Sequence, residues 1–319
     1  MNLKKIGMTA LAASLVSTSV FAGEVTVAGS ASMTVENYSI DSRNSGKGFS
    51  MGNQLTFTGG GELDNGMNVS ISFVLDQGDE GTSGESTSPF DSHSVKISSD
   101  ALGTLKLSGE GGSSAQSALD TTAAGDIWDT FDGTTGTTVF SSTTSDNMLM
   151  YTLPSMGVDG LSVSASYVPQ AAGASSSLSY AATYTGIDGL SVSYGVGEQE
   201  TSSTAQGDTT TMKASYAYGP LTVAYSNNDH ATETASKDQE TTSYKLSYTV
   251  SDAISVSYGE DTIDEEGDAL DAEFSKVSAS YTSGGMTVTA TSAEAKDALH
   301  GTAANQDKDY WSLGLSFAF

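Results

Sequence analysis

The stretch that decides the fold is Tyr310 to Phe319, YWSLGLSFAF. Trp311, Leu313, Leu315, Phe317 and Phe319 occupy every second position, and Ser312, Gly314, Ser316 and Ala318 stand between them. A period of two puts all the large apolar side chains on one face of an extended strand and all the small ones on the other. Such a face needs a core or a lipid phase to receive it. The remaining sequence decides between the two.

The same alternation recurs upstream. Met67, Val69, Ile71, Phe73 and Leu75 alternate with Asn68, Ser70 and Ser72 directly after the hairpin signal Asp64-Asn65-Gly66. Val25, Val27, Met33 and Val35 mark a first strand. Leu161–Val168, Leu190–Val196 and Ile254–Glu260 repeat the pattern. In all, about sixteen strands are legible, joined alternately by short Gly- and Asp-containing turns and by longer acidic loops. Short turns at one end and long loops at the other are the layout of a transmembrane antiparallel β-barrel. Tyrosines such as Tyr151, Tyr167, Tyr194, Tyr248 and Tyr258 recur near strand ends, as residues of a membrane interface do. A sandwich of this many strands would leave four sheet edges to protect, whereas closure removes every edge. The expected fold is therefore all-β, a closed barrel.

Composition agrees. Hydrophobic residues make up 37% of the 319, too few for a thick core of branched aliphatics. Cysteine is absent, which excludes disulfides and thiol chemistry. A formal net charge of −27 excludes nucleic acid as a partner and favours cations. At the N-terminus, Lys4 and Lys5 precede a short apolar stretch and the small-residue site Val20-Phe21-Ala22. Residues 1–22 thus read as a secretory signal peptide, and residues 23–319 as the barrel domain.

One segment breaks the rhythm. Between Gly109 and Asp146 no clean alternation is found, and Gly125-Asp126-Ile127-Trp128-Asp129-Thr130-Phe131-Asp132 mixes acids with large apolar residues. A loop of that length and composition should pack on something rather than float.

With these parts assembled, the chain resembles the general bacterial diffusion porins, in particular those of photosynthetic and related alphaproteobacteria. The resemblance rests on Glu-Val-Thr-Val-Ala-Gly (Glu24 to Gly29), the Asp64-Asn65-Gly66 turn, the long insertion after the fifth strand and the terminal Phe319. It implies a sixteen-stranded barrel in the outer membrane, assembled as a homotrimer, that passes ions and small hydrophilic solutes. It implies that residues 109–146 fold into the pore as a constriction loop, with Glu110, Asp120, Asp126, Asp129 and Asp132 as its acids. Lys96 and Lys106, and by alternation Lys213 and Lys245, would be the facing bases of the wall. Phe319, with Phe317 and Trp311, would be the signal read by the barrel-assembly machinery. The departure from the family pattern is arginine: Arg43 is the only one, and this shifts the expected selectivity towards cations.

Other chemistry finds little support. His93, His230 and His300 lack metal-ligand spacing in sequence and read as surface residues. The acidic run Asp261-Thr262-Ile263-Asp264-Glu265-Glu266 offers hard oxygen ligands for weak Ca²⁺ binding, without the ordered twelve-residue calcium loop. No cofactor is called for, and no Ser-His-Asp arrangement supports catalysis. Gly29, Ala31, Gly59 and Gly61 suit either the approach of a neighbouring barrel or the curvature of this one. The competing reading is an exported acidic adhesin or surface-layer protein whose strands stack as a sheet or β-helix.

Overall fold

The fold follows from the alternation. The structure is a computed structural model; it describes residues 25–38, 46–76, 91–131, 144–145, 147–169, 176–199, 207–232, 238–298, 300 and 307–319. The signal peptide, Arg43 and Asp132 lie outside the described residues. The strands are β1 (Thr26–Tyr38), β2 (Gly46–Glu62), β3 (Asn68–Asp76), β4 (Ser92–Ser99), β5 (Gly103–Glu110), β6 (Gly112–Ser113), β7 (Thr144–Ser145), β8 (Met148–Thr152) and β9 (Leu161–Val168). Then come β10 (Ser177–Tyr184), β11 (Leu190–Gln199), β12 (Gly207–Tyr218), β13 (Leu221–Thr232), β14 (Gln239–Ser251), β15 (Ile254–Glu265), β16 (Ala272–Ser283), β17 (Met286–Lys296) and β18 (Lys308–Ala318).

Sixteen of these close into one antiparallel barrel, and β6 and β7 form a separate two-stranded ladder. Closure pairs β18 with β1, from Ser30 opposite Ala318 to Asn37 opposite Trp311. Two further backbone bonds, Gly29 N–H to Phe319 O at 2.7 Å and Phe319 N–H to Gly29 O at 2.9 Å, complete the seam. The Phe319 ring lies where a Gly29 side chain would be, so that glycine makes room within its own barrel. No helix among the described residues is long and apolar enough to cross a membrane; the strands do so.

The outer face shows why the sequence reads as it does. On β15 the outward row runs Ile254, Val256, Tyr258, Glu260, Thr262, Asp264. It passes from apolar through aromatic to acidic, which marks the edge of the hydrocarbon at Tyr258. Neighbouring strands agree: Glu198, Asp208, Asp229, Glu240, Glu273, Glu294 and Asp309 share the outward phase of their strands, all at the long-loop end. These acids therefore form a collar outside the barrel. At the opposite end the short turns use left-handed glycines where L-residues are strained; Gly103 (φ 80°) and Gly160 (φ 76°) are two of them.

Several strands reach further than their apolar alternation. β13 extends to Thr232, β14 begins at Gln239 and β15 reaches Glu265. Above the membrane both faces of a strand are polar, so the hydropathy signal ends before the hydrogen bonding does.

Candidate functional site

The lumen is crossed by the segment after β5, and its path is set residue by residue from the wall. Inward-facing hydroxyls accept its backbone N–H groups in strand order. Ala115 donates to Ser166 Oγ on β9 at 2.9 Å, and Gln116 to Ser179 Oγ on β10 at 3.3 Å. Ala123 donates to Ser226 on β13 at 2.8 Å, Ala124 to Ser243 on β14 at 2.9 Å, and Ile127 to Asp261 Oδ2 on β15 at 2.6 Å. Loop carbonyls are met in the same way. Asn228 Nδ2 donates to Asp120 O at 2.9 Å, Lys213 Nζ to Thr121 O, and Lys276 Nζ to Gly125 O at 3.3 Å. Buried backbone groups need partners, and the Ser/Thr-rich inner face supplies them around half the barrel.

The described part of the loop closes on an apolar anchor. Ile127 and Phe131, both fully buried, lie on a short 3₁₀ helix (Ile127–Phe131). They pack with Ile263, Phe274, Ala293, Ala295, Ala298 and Tyr310 on the inner face of β15 to β18 and the loop above it. Phe131 stands 6.0 Å from the Phe274 ring and 6.3 Å, edge-on, from Tyr310. Fully burying two side chains of this size is worth about 1.5–3 kcal/mol each. Before the helix the chain turns through two left-handed residues, Gly125 (φ 87°) and Asp126 (φ 47°). Asp126 Oδ1 accepts the Thr122 N–H at 2.8 Å, and Thr122 Oγ1 accepts the Asp126 N–H at 2.8 Å, so the turn is held by its own side chains.

The wall makes space for this course. A Cβ on Gly259 would lie 2.7 Å from Ala124 Cβ, and one on Gly195 would lie 3.1 Å from Gln116. These glycines, the hydroxyl series and Lys276 carry no assignment from sequence, and Asp261, read there only as part of an acidic run, is instead the acceptor of the Ile127 N–H. Lys276 was within reach of the sequence, since it shares the small-residue phase of Ser278 and Ser280. The rest carry no signal of their own, because their partner is a loop without periodicity.

The sequence-predicted acids fall in different surroundings. Glu110 belongs to β5 and stands 3.7 Å from the His93 ring. Asp120 turns to the wall: its carboxylate accepts from Thr211 Oγ1 at 2.9 Å and from Gln116 Nε2. Asp126 is half-buried in its own turn, and Asp129 is exposed. The bases are placed by register. Ser166, whose hydroxyl binds the loop, lies opposite Met150, Met150 opposite Lys106, and Lys106 opposite Lys96, so both lysines face the lumen on β4 and β5. Lys213 lies opposite Ser226, and Gly259 links Lys245 to Lys276, so these three share the loop-bearing side. Trp311, Phe317 and Phe319 face outward, 40%, 37% and 74% exposed. Two histidines depart from the surface expectation. His230 is 2% exposed with Nδ1 2.7 Å from Thr209 Oγ1, and His300 is 7% exposed.

A closed sixteen-strand barrel with a polar inner face and a loop fixed across it defines an outer-membrane channel protein. The sequence model of the Gram-negative porin family matches residues 7–275, and the chain belongs to that family. Among solved structures it is similar to the anion-selective porin from Comamonas acidovorans, with TM-score 0.70, 16% identity, and coverage of 93% of this chain and all of that one. A second porin matches with TM-score 0.68 and 21% identity over the same shares, and a variant of Rhodopseudomonas blastica porin with TM-score 0.67 and 16% identity over the same shares. No curated protein sequence matches the chain significantly. At these identities the structures speak for the fold. The family places the protein in the bacterial outer membrane. The closed barrel also displaces the stacked sheet or β-helix of a surface adhesin.

Proposed function

We propose that this porin is a water-filled channel for passive diffusion of ions and small hydrophilic solutes, with a modest preference for cations. The observation that carries the channel reading is the docked loop. A segment pinned by wall hydroxyls and an apolar anchor narrows the lumen without filling it with a core. The cation preference is supported by charge placement. Asp129 stands exposed on the loop, and the Lys213 and Lys276 ammonium groups are held against the loop backbone rather than extended into the lumen. The acidic collar raises cation concentration at the mouth. Lys96 and Lys106 on the facing wall oppose this and keep the preference modest. The similar Comamonas porin is anion-selective by name, so the fold serves either sign and the side chains decide. Reversal potentials in planar bilayers under a salt gradient test both parts. Silent bilayers overturn the channel, and an anion-directed potential overturns the preference.

Three further parts of this reading concern assembly. The apolar outer face of β1, β2, β17 and β18, with Met33 (53% exposed), Phe49 (86%) and Met51 (65%), would be covered by a second and third copy in a homotrimer. A native mass of one chain in mild detergent would end that reading. Export would remove residues 1–22, so the mature N-terminus is expected at Gly23. Phe319, with Phe317 and Trp311, would be read by the barrel-assembly machinery. Deleting Phe319 should then lower membrane yield more than the conductance of those channels that insert; unchanged yield would contradict it.

A further inference from the structure

At the long-loop end of the barrel, a ring nitrogen of His300, a carboxylate oxygen of Glu265 and one of Asp268 lie within 4.8 Å of one another. Glu265 ends β15, Asp268 lies in the connection from β15 to β16, and His300 lies in the connection from β17 to β18. His300 Nδ1 stands 3.8 Å from Asp268 Oδ2 and 3.2 Å from the Leu270 carbonyl. Its Nε2 is buried and has no hydrogen-bond partner among the described residues. In either neutral tautomer one ring nitrogen then lacks a proper partner, which costs about 1–3 kcal/mol in a buried site. The backbone is also held for this arrangement. His300 (φ 53°) and Asp297 (φ 48°) both adopt the left-handed region that side chains disfavour. The Ala269 N–H donates to His300 O at 3.2 Å, tying the two connections together beside the cluster.

We propose that Glu265, Asp268 and His300 form a binding site for a divalent transition metal of the zinc class. One imidazole with two carboxylates is a donor set that suits Zn²⁺. Calcium instead takes six to eight oxygens, and three side chains with a nitrogen among them do not provide that. Ligand atoms around tetrahedral zinc stand about 3.4 Å apart, so the cluster closes by roughly an ångström on binding. Nδ1 is the ring nitrogen turned to Asp268 and it also meets the Leu270 carbonyl, so coordination through Nδ1 would exchange that contact for the ion. Three protein ligands leave a fourth position for water or a solute donor. The bound ion would clamp two connections directly above the anchor of the constriction loop, because Ala298, two residues before His300, packs in the same cluster as Phe131.

Calorimetric titration of the intact protein in detergent with Zn²⁺ tests this, and conduction plays no part in the readout. One Zn²⁺ per chain is expected, with affinity lowered at least about tenfold in both His300→Ala and Asp268→Asn. Excess Ca²⁺ should leave the Zn²⁺ isotherm unchanged. Should His300→Ala fail to fold, Asp268→Asn, in a turn, decides alone. Wild-type affinity in a folded variant overturns the proposal. So does displacement of Zn²⁺ by an equal concentration of Ca²⁺, which would assign the ion to nonspecific attraction by the acidic collar.

Discussion

The two sides of the lumen are built from different materials. From β9 to β18 the wall presents small hydroxyls, glycines, Asp261 and an apolar anchor, each occupied with a loop group. On β4 and β5 it presents Lys96 and Lys106, opposite one another in register and away from the docking series. The first side fixes where the loop lies. The second acts only on what passes. Substitutions on the loop-bearing side should therefore change conductance and its noise, and substitutions on the facing side should change ion preference alone.

The largest effect is expected at the anchor. Phe131→Ala removes a fully buried ring, a change that costs about 3–5 kcal/mol in a packed site. Single-channel recordings should show a freed loop as larger and noisier conductance. Removing the Asp261 carboxylate (Asp261→Ala) leaves the buried Ile127 N–H without its acceptor, at about 1–3 kcal/mol. The same recordings should then show brief excursions from the main level rather than a new level. A methyl group at Gly259 would meet Ala124, so Gly259→Ala should displace the loop by about an ångström and alter conductance without freeing the anchor. Lys96→Glu with Lys106→Glu should leave loop noise unchanged and shift the permeability ratio towards cations by up to about fivefold, since solvated charges interact by about 1 kcal/mol at close range. If the lysine pair changed the noise, or the anchor changed only selectivity, the division between the two sides would fail.

The same division governs what was legible in the sequence. Ile254, Val256 and Tyr258 alternate because lipid and water pull the two faces apart, so strand existence and phase can be read directly. That phase also places Lys96, Lys106, Lys213 and Lys245 inward. Past Tyr258 the outward row is Glu260, Thr262 and Asp264, no longer different in polarity from an inner face, and strand ends become invisible. The loop is harder still. Ile127 and Phe131 announce that something must cover them, but the cover, Ile263 and Phe274, sits on inner faces of strands far along the chain. The family resemblance makes Asp120 a pore acid, yet its carboxylate is turned to Thr211, because a loop with no period does not say which side faces the wall. His300 looked like an isolated surface residue because its companions, Glu265 and Asp268, are brought to it only by closure of adjacent hairpins.

If the segment after β5 lies inside the lumen with one side docked and the other in the ion path, its two sides must differ in access to a reagent. Because the chain contains no cysteine, single cysteines can be probed without background. Asp129→Cys, on the exposed side, and Ala115→Cys, 1% exposed against the wall, would each be treated with a charged thiol reagent during single-channel recording. Stepwise conductance changes at position 129 and none at position 115 are expected. Equal reaction at both, or no change at 129 despite labelling, would contradict a loop docked across the channel.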